Sequence, residues 1–175
     1  MDCQLTVTTD ASFRSDSAGL GVVIHAFGPQ PWPGADSWRH LAHIVLAKKH
    51  IPCTACTDAE ELAFLFATRI IQDAFGFNRD VRVCGIEFTT DSQFVRNSSC
   101  NTNTSVDRAL NHLALYFRIA RQDVNLIWQP RSDDAVRSAD SLARNARTTL
   151  PLHGEDQNWY HIRDETNFYC FSEMD

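Results

Sequence analysis

Leu5-Thr6-Val7-Thr8-Thr9-Asp10-Ala11-Ser12 is the stretch that decides the fold. Leu5, Val7 and Thr9 alternate with Thr6, Thr8 and Asp10, the period of two that marks a half-buried strand. The strand is expected to end at the carboxylate and pass into a small-residue turn. The same punctuation returns in Ile86-Glu87-Phe88-Thr89-Thr90-Asp91-Ser92-Gln93. Two strands ending in Thr-Thr-Asp put two carboxylates at the ends of neighbouring strands, with hydroxyls beside each. That pairing points to a metal-dependent catalytic centre.

Around this stretch the chain has 175 residues, which is most simply one domain with a full core. Hydrophobic residues make up 43% and charged residues 22%, ordinary values for a globular protein. No apolar run approaches the roughly 20 residues that span a bilayer, and no basic-then-apolar leader opens the chain. An intracellular, cytoplasmic or nuclear protein is the expectation, with its six cysteines reduced. Cys53-Thr54-Ala55-Cys56 has Cys-x-x-Cys spacing, but with no second pair downstream it reads as structural. The net charge of −6 argues against strong non-specific attraction to a polyanion.

After the first strand, Gly19-Leu20-Gly21-Val22-Val23-Ile24-His25-Ala26-Phe27 reads as a second. Gly28-Pro29-Gln30-Pro31-Trp32-Pro33-Gly34 reads as a loop, because proline removes ladder donors. A third strand falls in the later half of residues 38–49, completing an antiparallel meander. Thr57-Asp58-Ala59-Glu60 has the capping-box pattern and opens a helix with Leu62, Ala63, Phe66, Ala67, Ile70 and Ile71 at helical spacing. It ends near Phe75-Gly76. A strand over 81–90 follows, then a short helical turn from Ser92 and a polar loop over 97–104. A second amphipathic helix carries Val106, Leu110, Leu113 and Phe117, and a fifth strand over 124–129 is stopped by Pro130-Arg131. After a charged loop over 132–137 comes a last helix over 139–147. The expected order is β-β-β-α-β-α-β-α: α/β, one domain over residues 1–150 with a five-stranded mixed sheet flanked by helices. The acidic tail, 151–175, carries Trp159, Tyr160, Phe168, Tyr169 and Phe171. Solvated tails seldom spend aromatics that way, so packing on the domain and binding a protein partner both stand open.

Four acids stand at the junctions of these elements. Asp10 ends the first strand, Glu60 sits in the first helical turn, Asp91 ends the fourth strand and Asp140 opens the last helix. Each alone has a plain structural use, as turn former, capping partner or charge at a helix N-terminus. Together they would repel one another strongly unless cations compensate. Hard divalent ions with oxygen ligands do so, and two such ions about 3.5–4 Å apart can drive an in-line phosphoryl displacement.

At this point the sequence resembles the ribonuclease H family over residues 5–147. Thr9-Asp10-Ala11-Ser12 is similar to the family's first-strand motif, and Glu60 with Ala63 and Ala67 to its catalytic helix. Thr90-Asp91-Ser92-Gln93-Phe94-Val95 resembles its fourth-strand segment, and Ala139-Asp140-Ser141-Leu142-Ala143-Arg144-Asn145-Ala146 its last helix. The resemblance implies hydrolysis of the RNA strand of RNA–DNA hybrids with two Mg²⁺ or Mn²⁺ ions. It implies that Asp10 bridges both ions, that Asp140 completes the nucleophile side, and that Glu60 and Asp91 hold the ion at the leaving group. Glu61 rivals Glu60, but the alanines three and seven later favour Glu60. Ser12, Thr57, Gln93 and Arg131 are candidate substrate contacts, with Thr57 also a plain N-cap and Arg131 equally a solvated loop residue.

The resemblance has departures. The loop before Asp140 lacks the family's frequent His, a lack shared with its plant-type branch, which the Pro130-Arg131 start resembles; His153 in the tail is a surface residue or a substitute. Arg108, Arg118, Arg121 and Lys48-Lys49 form no dense basic run, so hybrid binding would be salt-sensitive. These departures leave two alternatives: the same scaffold as a protein-interaction module with little nuclease activity, and a nuclease on another nucleic acid.

Overall fold

The computed structural model describes residues 1–29, 38–50, 52–76, 80–149 and 158–164. Strands β1 (Asp2–Arg14), β2 (Ser17–Pro29) and β3 (Trp38–His50) form an antiparallel meander, followed by helix α1 (Cys56–Phe75) and strand β4 (Arg82–Thr90). Helices α2 (Gln93–Cys100) and α3 (Ser105–Phe117), strand β5 (Val124–Trp128), helix α4 (Asp134–Thr149) and strand β6 (Asn158–Asp164) complete the chain. The sheet order is β5-β4-β1-β2-β3-β6, with β4 parallel to both β1 and β5 and the other pairs antiparallel.

The five expected strands are all present, and the tail adds a sixth: residues 158–164 pair antiparallel with β3, from Ala42 opposite Asp164 to Lys48 opposite Asn158. Several boundaries differ from the sequence reading. β2 continues through Gly28 to Pro29, where Pro29 pairs with Trp38 as the last matched pair before the connection between the two strands; 30–34 lie outside the described residues. β3 uses the whole stretch from Trp38. Residues 97–100, expected as loop, are the last turn of α2, because Ser92 caps that helix through a bond from the Val95 N–H to its hydroxyl.

The core lies between the sheet and helices α1 and α3. Alternate residues Leu5 and Val7 of β1, Val22 and Ile24 of β2, and Ile86 and Phe88 of β4 pack with Phe64, Ala67 and Ile71 of α1 and Leu110 and Leu113 of α3. Phe64 meets Phe88 with ring centroids 4.9 Å apart, and deleting such a ring costs about 3–5 kcal/mol.

α4 covers part of the opposite face and comes unusually close. A Cβ on Gly21 would stand 2.2 Å from the Ala139 carbonyl oxygen, and one on Gly19 would stand 1.8 Å from that of Ala143. Glycine on the strand and alanine on the helix are therefore what let this helix seat, and its seating sets the height of Asp140. No helix among the described residues is long and apolar enough to cross a membrane.

Candidate metal centre

The parallel pairing of β1 and β4 builds the centre. Its last matched pair is Thr8 with Thr89, so Asp10 and Asp91 stand two residues further along adjacent strands. Asp10 is not at the end of its strand, as the sequence reading had it. β1 runs on to Arg14, with Asp10 opposite Gly21 of β2, and what ends there is the pairing with β4. A carboxylate held inside a ladder has little freedom, and Asp10 is fully buried. Asp91 follows the last residue of β4, in a turn fixed by two hydroxyls: the Ser92 N–H donates to Thr90 Oγ1 at 3.1 Å, and Ser92 caps α2. The Trp128 indole N–H also donates to the Asp91 carbonyl, at 2.9 Å.

Glu60 comes from α1, and not through the expected capping box. The helix starts at Cys56 with Ala55 as its N-cap and no side-chain cap bond, so Thr57 is an exposed residue of the first turn. Glu60 is thereby released from capping and turns inward, to 8% exposure. Its rival Glu61 accepts a hydrogen bond from the Ser105 hydroxyl and ties α1 to α3. One carboxylate oxygen from each of Asp10, Glu60 and Asp91 lies within 4.8 Å of the others.

Asp140 stands outside that trio. α4 begins at Asp134, capped by Asp133 Oδ1, which accepts from the Ala135 and Val136 N–H groups. The charged loop thus ends earlier than expected, and Asp140 lies in the second turn, paired with Arg144 at 2.6 Å. Of the candidate substrate contacts, Ser12 accepts a hydrogen bond from Arg147 Nε at 2.9 Å, and Gln93 is exposed as the first residue of α2. Arg131 is engaged where the sequence left it open. Its Nε donates to Asp91 Oδ2 at 2.7 Å, and its Nη2 stands 4.0 Å from Asp10 Oδ1. Nothing in the local sequence signals this, because the contact spans 40 residues. His153 lies outside the described residues; Cys53 is a buried free thiol and Cys56 an exposed one.

The electrostatics follow from burial and crowding. Burial pushes Asp10 up to about 7 from its ordinary 3.8, with Asp91 and Asp140 adding to the rise and Arg131 opposing it. Burial likewise raises Glu60 to about 8, helped by Asp10 and Asp91. Two carboxylates about 5 Å apart repel by roughly 3–4 kcal/mol at an effective dielectric near 20. Both carboxylate oxygens of Asp10 are buried without a hydrogen-bond partner, an expensive arrangement for a group with four lone-pair sites. A divalent cation with oxygen ligands satisfies both demands at once, and the all-carboxylate donor set fits Mg²⁺ or Mn²⁺.

No family model matches the sequence, and no curated protein matches it. Solved structures do. The chain shares its fold with the RNase H1 of the halophilic archaeon Halobacterium salinarum NRC-1, at 21% identity and a TM-score of 0.52, over 82% of this chain and 96% of that one. The N-terminal RNase H domain of Rv2228c from Mycobacterium tuberculosis, solved as a fusion with maltose binding protein, is similar at 20% identity and a TM-score of 0.54, over 82% and 93%. LC11-RNase H1, solved in complex with an RNA/DNA hybrid, is similar at 19% identity and a TM-score of 0.51, over 82% and 96%. The fold is the ribonuclease H fold, an α/β architecture with a mixed sheet, and at its centre lies a cluster of acids.

Proposed function

We propose that this protein is a divalent-metal-dependent endonuclease that hydrolyses the RNA strand of RNA–DNA hybrids. The observation that carries the reading is the buried trio of Asp10, Glu60 and Asp91, with both Asp10 oxygens unpartnered, on a fold shared with ribonuclease H structures. One of those structures holds an RNA/DNA hybrid, which supports the choice of substrate.

In this reading Asp10 would bridge two ions, Glu60 and Asp91 would hold the one on the leaving-group side, and Asp140 would complete the other. When bound, Mg²⁺ or Mn²⁺ supplies Lewis-acid stabilisation of charge on the phosphate and the departing oxygen. The chain's contribution is preorganisation. β1 and β4 fix two carboxylates in register, and the Thr90–Ser92 turn holds Asp91 in place. The oxygen of water bonds to phosphorus as the bond to the leaving ribose oxygen breaks, and a proton from that water ends on the ribose oxygen, so atoms and charge balance without a covalent enzyme intermediate. Asp140, paired with Arg144 at 2.6 Å, would help hold the metal only by giving up that ion pair. With a net charge of −6, few phosphates are neutralised by basic side chains, so hold on the duplex is weak unless metal contributes to it.

The test is cleavage of labelled RNA–DNA hybrid, double-stranded RNA, double-stranded DNA and single-stranded RNA, with Mg²⁺, with Mn²⁺ and with chelator. Metal-dependent cutting of the hybrid by wild type and its loss in Asp10→Asn is the expected result. Cutting without metal, or equal cutting by the variant, refutes the proposal; preference for another duplex refutes the substrate alone.

A further inference from the structure

We infer that Arg131 is a tethered cation that occupies the acid cluster of the metal-free protein and competes with metal for it. This rests on the metal-centre reading above and adds to it a built-in competitor.

The backbone around Arg131 is held on both sides. The Gln129 N–H donates to the Thr90 carbonyl at 3.0 Å, the Asp133 N–H to that of Pro130 at 2.9 Å, and Trp128 is anchored on Asp91. The side chain is not held in the same way: it is 61% exposed at the rim and reaches inward to Asp91, whose side chain is 9% exposed. Its 2.7 Å contact to Asp91 Oδ2 is a short charge-assisted bond, whereas its 4.0 Å separation from Asp10 Oδ1 is too long for a hydrogen bond. The guanidinium therefore compensates one acid well and the buried one poorly, which is why both Asp10 oxygens stay unpartnered.

Guanidinium and metal exclude each other for two reasons. Arg carries donors only, so it cannot act as a ligand beside the ion. It also carries the same sign of charge, so both cannot lie against Asp91 Oδ2 without repulsion. A divalent ion would bring twice the charge and take Asp10 as a ligand as well, so it would displace the guanidinium, and Arg131, 61% exposed, has solvent to move into. The cost of that displacement lowers the apparent metal affinity by the fraction of molecules in which the arginine is docked.

The experiment is Mn²⁺ titration of the substrate-free protein, read by the electron paramagnetic resonance of free Mn²⁺, for wild type, Arg131→Ala and Arg131→Gln. Thermal melts confirm that both variants are folded. Each variant is expected to bind Mn²⁺ roughly five- to tenfold more tightly than wild type, corresponding to about 80–90% docking in the metal-free state. Equal or weaker binding in both variants overturns the inference while leaving the metal centre standing. Absence of Mn²⁺ binding in all three proteins overturns the metal-centre reading and this inference with it.

Discussion

Replacing Asp10 with Asn isolates the cost of the acid cluster, because the substitution removes a charge while leaving the shape. In the metal-free protein Asp10 titrates near 7 instead of 3.8, chiefly through burial. A folded-state pKa raised above its unfolded value means the stability from the neutral form is fully present below about 4 and is lost as pH rises through about 7. At 1.36 kcal/mol per pH unit, the ionisation penalty grows from about 1.7 kcal/mol at pH 5 to about 4 kcal/mol at pH 8. Asn removes that penalty but buries an amide with no partner here, which costs roughly 2 kcal/mol. Asp10→Asn is therefore expected to be near neutral at pH 5 and to stabilise by about 2 kcal/mol at pH 8, or roughly 4–8 °C in Tm. Glu60, raised to about 8, moves the same way once its neighbour's charge is gone. The assay is thermal and urea unfolding in chelator at both pH values, repeated with millimolar Mg²⁺ or Mn²⁺. Metal is expected to raise the wild-type Tm, since a ligand bound only by the native state stabilises it, and to leave the variant little changed. A difference between the proteins that stays constant from pH 5 to 8, or an undiminished metal response in the variant, refutes the reasoning.

Two further substitutions test the site's supports. Glu60→Gln is expected to abolish the metal-induced rise in Tm, whereas Glu61→Gln keeps it and costs only about 1 kcal/mol by weakening the contact with Ser105; equal metal responses in the two would misplace the ligand. Gly21→Ala drives a Cβ to 2.2 Å from the Ala139 carbonyl, so urea unfolding should show a loss of about 1–3 kcal/mol or more, with weaker metal binding as α4 shifts Asp140. An unchanged midpoint would mean that α4 is not seated on β2 as described.

The strands and helices were legible because their signals are local. Period two in Leu5, Val7 and Thr9, and helical spacing from Leu62 to Ile71, report burial of one face whatever the partner. Helix starts were less legible. Thr57-Asp58-Ala59-Glu60 has the pattern of a capping box, yet the N-cap is Ala55, two residues before Thr57, and Glu60 is left free of capping and buried. Likewise Asp140 carries no capping duty, because Asp133 already satisfies the first N–H groups of α4. The aromatic tail could be flagged by composition but not placed, since only the free edge of β3 decides where residues 158–164 pair.

By itself, then, the sequence determined the order of elements and which of them carry an acid. The tertiary structure decided which acids meet. Asp10 and Asp91 converge because β1 and β4 pair in parallel, with Thr8 beside Thr89, across 81 positions of chain. Glu60 joins them and Glu61 does not, because a helix turns adjacent residues about 100° apart and only one can face the sheet. Arg131 reaches the cluster across 40 residues, and Asp140 stands beside it on a helix that only Gly19 and Gly21 admit. Period and propensity are properties of neighbours along the chain, whereas convergence of like charges is a property of packing, sustained only when the core that forces it is worth more than the repulsion.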